Sequence, residues 1–403
     1  MPHLRAAITL LLFLSLSSST RAESDEVRAL WVVRTTLTSP TAVATMVSSA
    51  KASGFNTLVV QVRGRADAYY LNATEPRAAA LVKHESFDPL ATTIARAHEA
   101  GLRVHAWVNV NLVAGVGDLP ASRDHVVYRH PEWLMVPRAL ADDLSVINPR
   151  SPEYLDRLAK YVRGEADVLE GIYLSPITAG AAKYTLDVVR DIVRRYPVDG
   201  VHLDYIRYPS DEFDYSRESL MAFRTDVIGD LTPTEKRTYD ARMATTPMIY
   251  AQTFPERWRG FRMSRLTALV AQLRETIKTA RPHAVVSAAV VPDSVDAATH
   301  RLQNWRDWLT QDLIDVVCPM SYTTDVNVFA SQIAAARDIA GTHGLWAGIG
   351  AYRMSPAQIV TAVRSARQQR VDGVILFSYD SLADPSRGPD YLAQIGRAAF
   401  TDQ

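Results

Sequence analysis

The sequence predicts an α/β fold: a single (β/α)8 barrel of the TIM type, with long βα insertions after strands 3 and 4. Three observations predict it. Eight short, strongly apolar strand candidates recur along the chain, and helical patterns lie between most of them. No Gly-rich dinucleotide fingerprint follows the first strand, which disfavours an open doubly wound sheet.

The strands read Ala29–Arg34, Thr57–Arg63, Arg103–Asn109, Gly200–Ile206, Ala284–Val291, Ile314–Tyr322, Leu345–Gly350 and Gly373–Tyr379. Their near-continuous apolar character is that of strands covered on both faces. Helical patterns at Val43–Ser53, Leu90–Ala100 and Tyr184–Tyr196 stop at Gly54, at Gly101 and before Pro197. Arg262–Arg281, Val328–Ala340 and Ser355–Gln369 complete the helical set. Two stretches exceed what a barrel needs. Asn111–Pro149, with the segment around Ile172–Pro176, separates the third and fourth strands, and Tyr208–Trp258 separates the fourth strand from its helix. Such insertions sit on the C-terminal face, where barrel sites lie. One barrel domain is expected over residues 23–403.

Met1–Ala22 reads as a signal peptide. His3 and Arg5 precede the apolar run Ala6–Leu16, and Thr20-Arg21-Ala22 offers small residues for cleavage. The run is too short to span a bilayer, so export to the periplasm or medium is expected, without stable membrane insertion. The 44 basic and 44 acidic side chains cancel, which argues against a nucleic-acid-binding surface. A hydrophobic content of 47% supplies a large core. The single cysteine, Cys318, leaves no internal disulfide or Cys-based zinc cluster. It lies in the apolar run Ile314–Met320 and is expected to be a buried structural thiol. There is no His-Glu-x-x-His motif, so no metal and no cofactor are expected.

The run Val198–Pro209 is the most informative. Strand alternation turns Val201 and Leu203 toward the helices and leaves His202 and Asp204 inside the barrel near its rim. A carboxylate there is costly unless it is hydrogen-bonded or used. The same parity selects Gln61 and Arg63 on the second strand, and His105, Trp107 and Asn109 on the third. The fifth runs through Ser287 and Ala289 to Asp293, and the sixth ends in Met320 and Tyr322. Trp346 lies in the seventh, and the eighth ends in Ser378-Tyr379-Asp380. Arg34 at the end of the first strand, with Tyr205 near the end of the fourth and Arg207 just past it, completes the set. Aromatic rings that stack on pyranose faces, beside amides and guanidiniums that take hydroxyls, describe a glycan site. Arg207 is expected either to hold an anionic group, such as a lactyl or peptide carboxylate, or to pair with an insertion carboxylate.

Arg28-Ala29-Leu30-Trp31, Gln61-Val62-Arg63, the run from Ala97 to Asn109 and the run from Asp199 to Pro209 resemble the glycosyl hydrolase-like 10 family. The resemblance extends from about Arg28 to at least Tyr322. It implies a barrel in exported bacterial proteins, some of which cleave peptidoglycan glycan strands. Asp199–Asp204 is more distantly similar to the Asp-Gly-x-Asp-x-Asp-x-Glu strand of family 18 chitinases. Here His202 replaces the middle Asp, and Ile206 stands where the acid Glu would be, so that family's proton donor is missing.

Glycoside hydrolysis normally uses two carboxyl groups. Asp204 is the first expected catalytic residue and Asp293 the second, with Asp325, Asp380 and Glu256 behind them. Two other classes stay open. A non-catalytic glycan-binding barrel would keep the aromatic rim and lack the second carboxylate. A metal-dependent polysaccharide deacetylase would use His202 and Asp204 as ligands.

Overall fold

The computed structural model describes residues 26–401, so the expected signal peptide lies outside the described residues. The strands are β1 (Val27–Val32), β2 (Thr57–Arg63), β3 (Arg103–Asn109), β4 (Leu112–Gly115), β5 (Gly171–Tyr173), β6 (Gly200–Asp204), β7 (Val285–Val290), β8 (Val316–Ser321), β9 (Gly344–Ile349) and β10 (Gly373–Phe377). Eight of them close a barrel in the order β1-β10-β9-β8-β7-β6-β3-β2, all parallel. This is a (β/α)8 barrel of the TIM type. The remaining two, β4 and β5, form a small antiparallel sheet within the insertion after the third barrel strand. Sequence periodicity does not reveal that pair, since strands of four and three residues are too short to show alternation.

Alternation sorts the barrel residues into two layers. Leu30, Val32, Val201 and Leu203 face outward and pack under the helices. Ala29, Trp31, Val59, Trp107, Cys318, Trp346 and Ile375 fill the interior. Small residues make room for the interior rings: a Cβ at Gly200 would meet the His105 imidazole at 2.5 Å. Ser39, Asp88, Asp325 and Ser355 cap the outer helices Pro40–Ala52, Pro89–Glu99, Val326–Ala340 and Pro356–Gln368, each accepting a backbone N–H. Three of these helices also begin with proline, whose missing N–H costs nothing there.

The insertion after β6 is helical, at Arg217–Val227, Pro233–Met243 and Ile249–Thr253, and runs directly into the outer helix Pro255–Ala280. It has its own apolar centre, built from Leu220, Phe223, Ile249, Tyr250, Trp258 and Phe261.

Cys318 is fully buried in the barrel interior, and burial pushes its thiol well above the ordinary value. Cys318→Ala is expected to cost ~1 kcal/mol of stability in urea unfolding and to leave activity intact. Loss of turnover in a well-folded Ala variant would point to thiol chemistry instead.

Candidate active site

A cavity of about 230 Å³ opens at the C-terminal ends of the barrel strands. Its aromatic walls are Trp31, Trp107, Tyr205, Tyr322 and Phe377; Val33, Ala289 and Met320 add apolar surface. Its polar lining is Asp204, Gln61, Arg34, Arg65 and Arg207. Tyr322 stacks on Phe377 at 5.6 Å, and Trp31 meets both rings edge-on, so the wall is a rigid aromatic cluster.

Asp204 is the last residue of β6 and pairs in register with Asn109, the last residue of β3. Its Oδ2 accepts the Trp107 indole N–H at 3.1 Å, and its Oδ1 accepts the Tyr205 backbone N–H at 2.7 Å. Tyr205 leaves the strand in the left-handed region (φ 48°), a conformation costly for a residue with a Cβ and typical of over-determined functional turns. Burial pushes the Asp204 carboxyl up to about 6; the Tyr205 N–H, Arg207, Trp107 and Arg65 hold it from going further.

A hydrogen-bonded row runs outward from this carboxyl. The Trp107 indole N–H is shared with Asn109 Oδ1 at 2.8 Å, and Gln61 Nε2 donates to the same oxygen at 3.3 Å. Asn109 Nδ2 donates to the Gly64 carbonyl at 2.8 Å, and Arg34 donates to Gln61 Oε1 at 2.9 Å. Gly64 is needed there, because a Cβ would fall 2.5 Å from the Arg34 side chain. On the opposite side Arg207 donates to Glu170 at 2.7 Å and lies 4.9 Å from the Tyr205 ring centre. Burial would raise the Glu170 carboxyl, but Arg207 and the Tyr173 hydroxyl bring it below its ordinary value.

His202 lies beneath the cavity rather than in its lining. Trp31 Nε1 donates to His202 Nε2 at 3.0 Å, and His202 Nδ1 lies 2.9 Å from Ser287 Oγ. Indole is a donor only, so the imidazole proton sits on Nδ1. Burial pushes the ring down to about 3, and it is neutral at working pH. Both ring nitrogens are thus committed to protein partners, and His202 orients Trp31 for the cavity. That commitment weighs against the deacetylase reading.

Asn109, fully buried in the hydrogen-bonded row, lies behind the lining, and four further expected residues stand away from the cavity. Arg63 is fully buried against Glu75, because the register between β2 and β3 shifts between Gln61 and Arg63 and breaks the alternation. Trp346 is the third residue of β9 and sits deep in the barrel beside His105, ring centres 5.3 Å apart. Tyr379 lies beyond β10, which ends at Phe377; it starts the short helix Tyr379–Leu382 and turns to Ser49 on the outer helix Pro40–Ala52. Asp293 lies three residues past the end of β7, where alternation no longer applies. It is solvent-exposed and caps the helix Ser294–His300, accepting N–H bonds from Val295 and Asp296.

The other carboxylates are also occupied elsewhere. Asp325 caps Val326–Ala340, Asp380 accepts from the Val33 N–H and the Thr35 and Thr36 hydroxyls, and Glu256 pairs with Arg259. Among the described residues, Asp204 is the only carboxyl that lines the cavity. Four lining residues were not picked out from the sequence as site residues. Trp31 shares the inward parity of Ala29, and Phe377 that of Ile375, which would have found them; Val33 and Arg65 lie just past the ends of β1 and β2, where periodicity carries no information.

The glycosyl hydrolase-like 10 family matches residues 26–359. The chain is 23% identical over 290 residues to glycosyl hydrolase YngK of Bacillus subtilis, covering 67% of this chain and 46% of that protein. It is 24% identical over 300 residues to glycosyl hydrolase DigH of Escherichia coli K12, covering 67% and 55%. The chain therefore spans about half the length of these curated relatives. The solved glycoside hydrolase domain of PgaB (BpsB) from Bordetella bronchiseptica shares the fold, with a TM-score of 0.57 at 14% identity over 92% of this chain and 98% of that one.

Proposed function

Because the chain belongs to the glycosyl hydrolase-like 10 family, we propose that it is an exported glycosidase acting on a bacterial glycan, peptidoglycan strands or a related polysaccharide. One observation carries the reading: a buried carboxyl, raised to about 6, at the head of an aromatic cavity on the catalytic face of a barrel. A carboxyl in that state is suited to protonating the glycosidic oxygen as the bond breaks. Asp204 is assigned that role. The aromatic wall supports a pyranose-bearing substrate, and the apolar Met1–Ala22 segment supports export.

The role fixes a sign for the pH dependence. An acid works protonated, so kcat/KM is expected to be flat below pH 5 and to fall as pH rises through about 6. A rate that instead falls as pH drops through 6 would make Asp204 a base or nucleophile.

A glycan-binding barrel is the second reading, favoured by the lack of a second carboxyl in the cavity lining among the described residues. Purified sacculi, intact and stripped of stem peptides, separate the two readings when products are followed by mass spectrometry. Soluble fragments released by the wild type and not by Asp204→Asn support hydrolysis. Retention of the protein on sacculi without release supports binding alone.

A further inference from the structure

We propose that the cavity recognises a carboxylate carried by the sugar itself, with Arg65 and Arg207 as the specificity-determining residues; this rests on the glycan reading above and narrows its substrate. Three guanidiniums, Arg34, Arg65 and Arg207, line the cavity against a single carboxyl, Asp204. Their commitments differ. Arg34 is engaged with Gln61, within the row that leads to Asp204. Arg207 is 7% exposed and gives Nη2 to Glu170, but its buried Nε and Nη1 have no hydrogen-bond partner among the described residues. Buried donors are nearly always paired, and an unpaired pair on a cavity wall calls for an acceptor from the cavity.

Arg65 lies on the same side, 5.9 Å from the Tyr205 ring that Arg207 also flanks at 4.9 Å. The two cations therefore border one aromatic platform. Burial, then the neighbouring charge of Arg34, holds the Arg65 guanidinium below its ordinary value, so an anion arriving there relieves both the repulsion and the lost hydration. Neutral sugar hydroxyls satisfy donors but not this excess of positive charge. A carboxylate does both. The surrounding rings of Trp31, Trp107 and Tyr322 place that carboxylate on a pyranose rather than on a free small acid.

Two sugar chemistries present it: a lactyl ether on an amino sugar, exposed when no peptide is attached, and the C6 carboxylate of a uronic acid. The test compares peptide-stripped peptidoglycan strands with the same strands after reduction of their carboxyls to hydroxymethyl groups, and includes a polyuronate as a separate substrate. Wild-type protein is expected to lose at least tenfold in kcat/KM on reduced strands, mainly through KM. Arg65→Gln, a substitution outside the buried Arg207–Glu170 pair, is expected to bring the ratio between native and reduced strands close to one. Arg207→Gln is expected to do the same, read only after its thermal unfolding shows a folded protein. Cleavage of polyuronate alone would assign the carboxylate to C6, and cleavage of stripped strands alone to the lactyl group. Equal rates on native and reduced strands overturn the proposal. Calorimetric titration of Asp204→Asn with native and reduced glycan oligomers tests it without turnover. A preference for the charged oligomer, together with a wild type that cleaves none of the substrates, upholds carboxylate recognition and sinks the glycosidase reading.

Discussion

Asp204→Asn is expected to lower turnover by ~10²–10⁴-fold, the range for losing a positioned acid or base, while the protein still binds its glycan. The substitution keeps shape and removes the transferable proton. The rings of Trp31, Trp107, Tyr322 and Phe377 survive it, so KM moves far less than kcat. The variant also carries a stability signature that a bystander residue would lack. The folded carboxyl titrates at about 6, above the usual 3.8, so the wild-type fold favours the protonated form. Its contribution to stability is present below about pH 4 and is lost as pH rises through 6, on the order of 2–3 kcal/mol. Asparagine does not titrate. Its amide must turn NH2 toward either the Trp107 or the Tyr205 N–H, which costs stability at low pH. From pH 4 to 8 the variant is therefore expected to gain on the wild type by that same 2–3 kcal/mol in urea unfolding. A constant difference across pH would show an Asp204 that is hydrated and unshifted, and a variant with wild-type kcat would leave the cavity without its acid.

What the sequence reveals about this site divides at the strand ends. Inside a strand, alternation reports the face, and it selected Gln61, Trp107 and Asp204, all of which line the cavity, as does Tyr322 one residue past the end of β8. It does not report height. Trp346 has the right parity, yet it is only the third residue of β9 and is sealed inside the barrel. Height depends on register with the neighbouring strand, a long-range property that no local window contains. Past the last ladder bond, parity loses its meaning, which is why Asp293 and Tyr379 turn to helix starts instead. The register shift after Gln61 has the same effect on Arg63. Strand parity therefore identifies an acid but not a partner for it. The eight-stranded barrel was legible, because eight apolar strands and their helix stops are local signals repeated along the chain, whereas the short β4 and β5 were not.

Glu75→Ala is expected to destabilise the fold by about 3–5 kcal/mol, the range for breaking a buried ion pair from one side. Arg63 and Glu75 both have fully buried side chains. Arg63 Nε lies 2.9 Å from each Glu75 oxygen, and Nη2 lies 2.7 Å from Oε1. Arg63 Nη1 donates to the Asn109 and Val110 carbonyls, so the pair joins the end of β2 to the end of β3 at the rim. Alanine leaves the buried guanidinium without its carboxylate. Two controls separate this from lost packing. Glu75→Gln keeps the volume and an acceptor but not the charge, and is expected to recover only part of the loss. Arg63→Met with Glu75→Leu removes both charges and restores apolar volume, and is expected to be more stable than Glu75→Ala despite carrying two substitutions. Since Asn109 pairs in register with Asp204, a weakened clamp also loosens the row that holds the Trp107 indole against the carboxyl. Residual activity per folded molecule is therefore expected to fall in Glu75→Ala and not to return in full in the double variant, because Arg63→Met also removes the bonds to the Asn109 and Val110 carbonyls. A loss below about 1 kcal/mol for Glu75→Ala would mean that water reaches the pair, as it does for surface bridges of that strength.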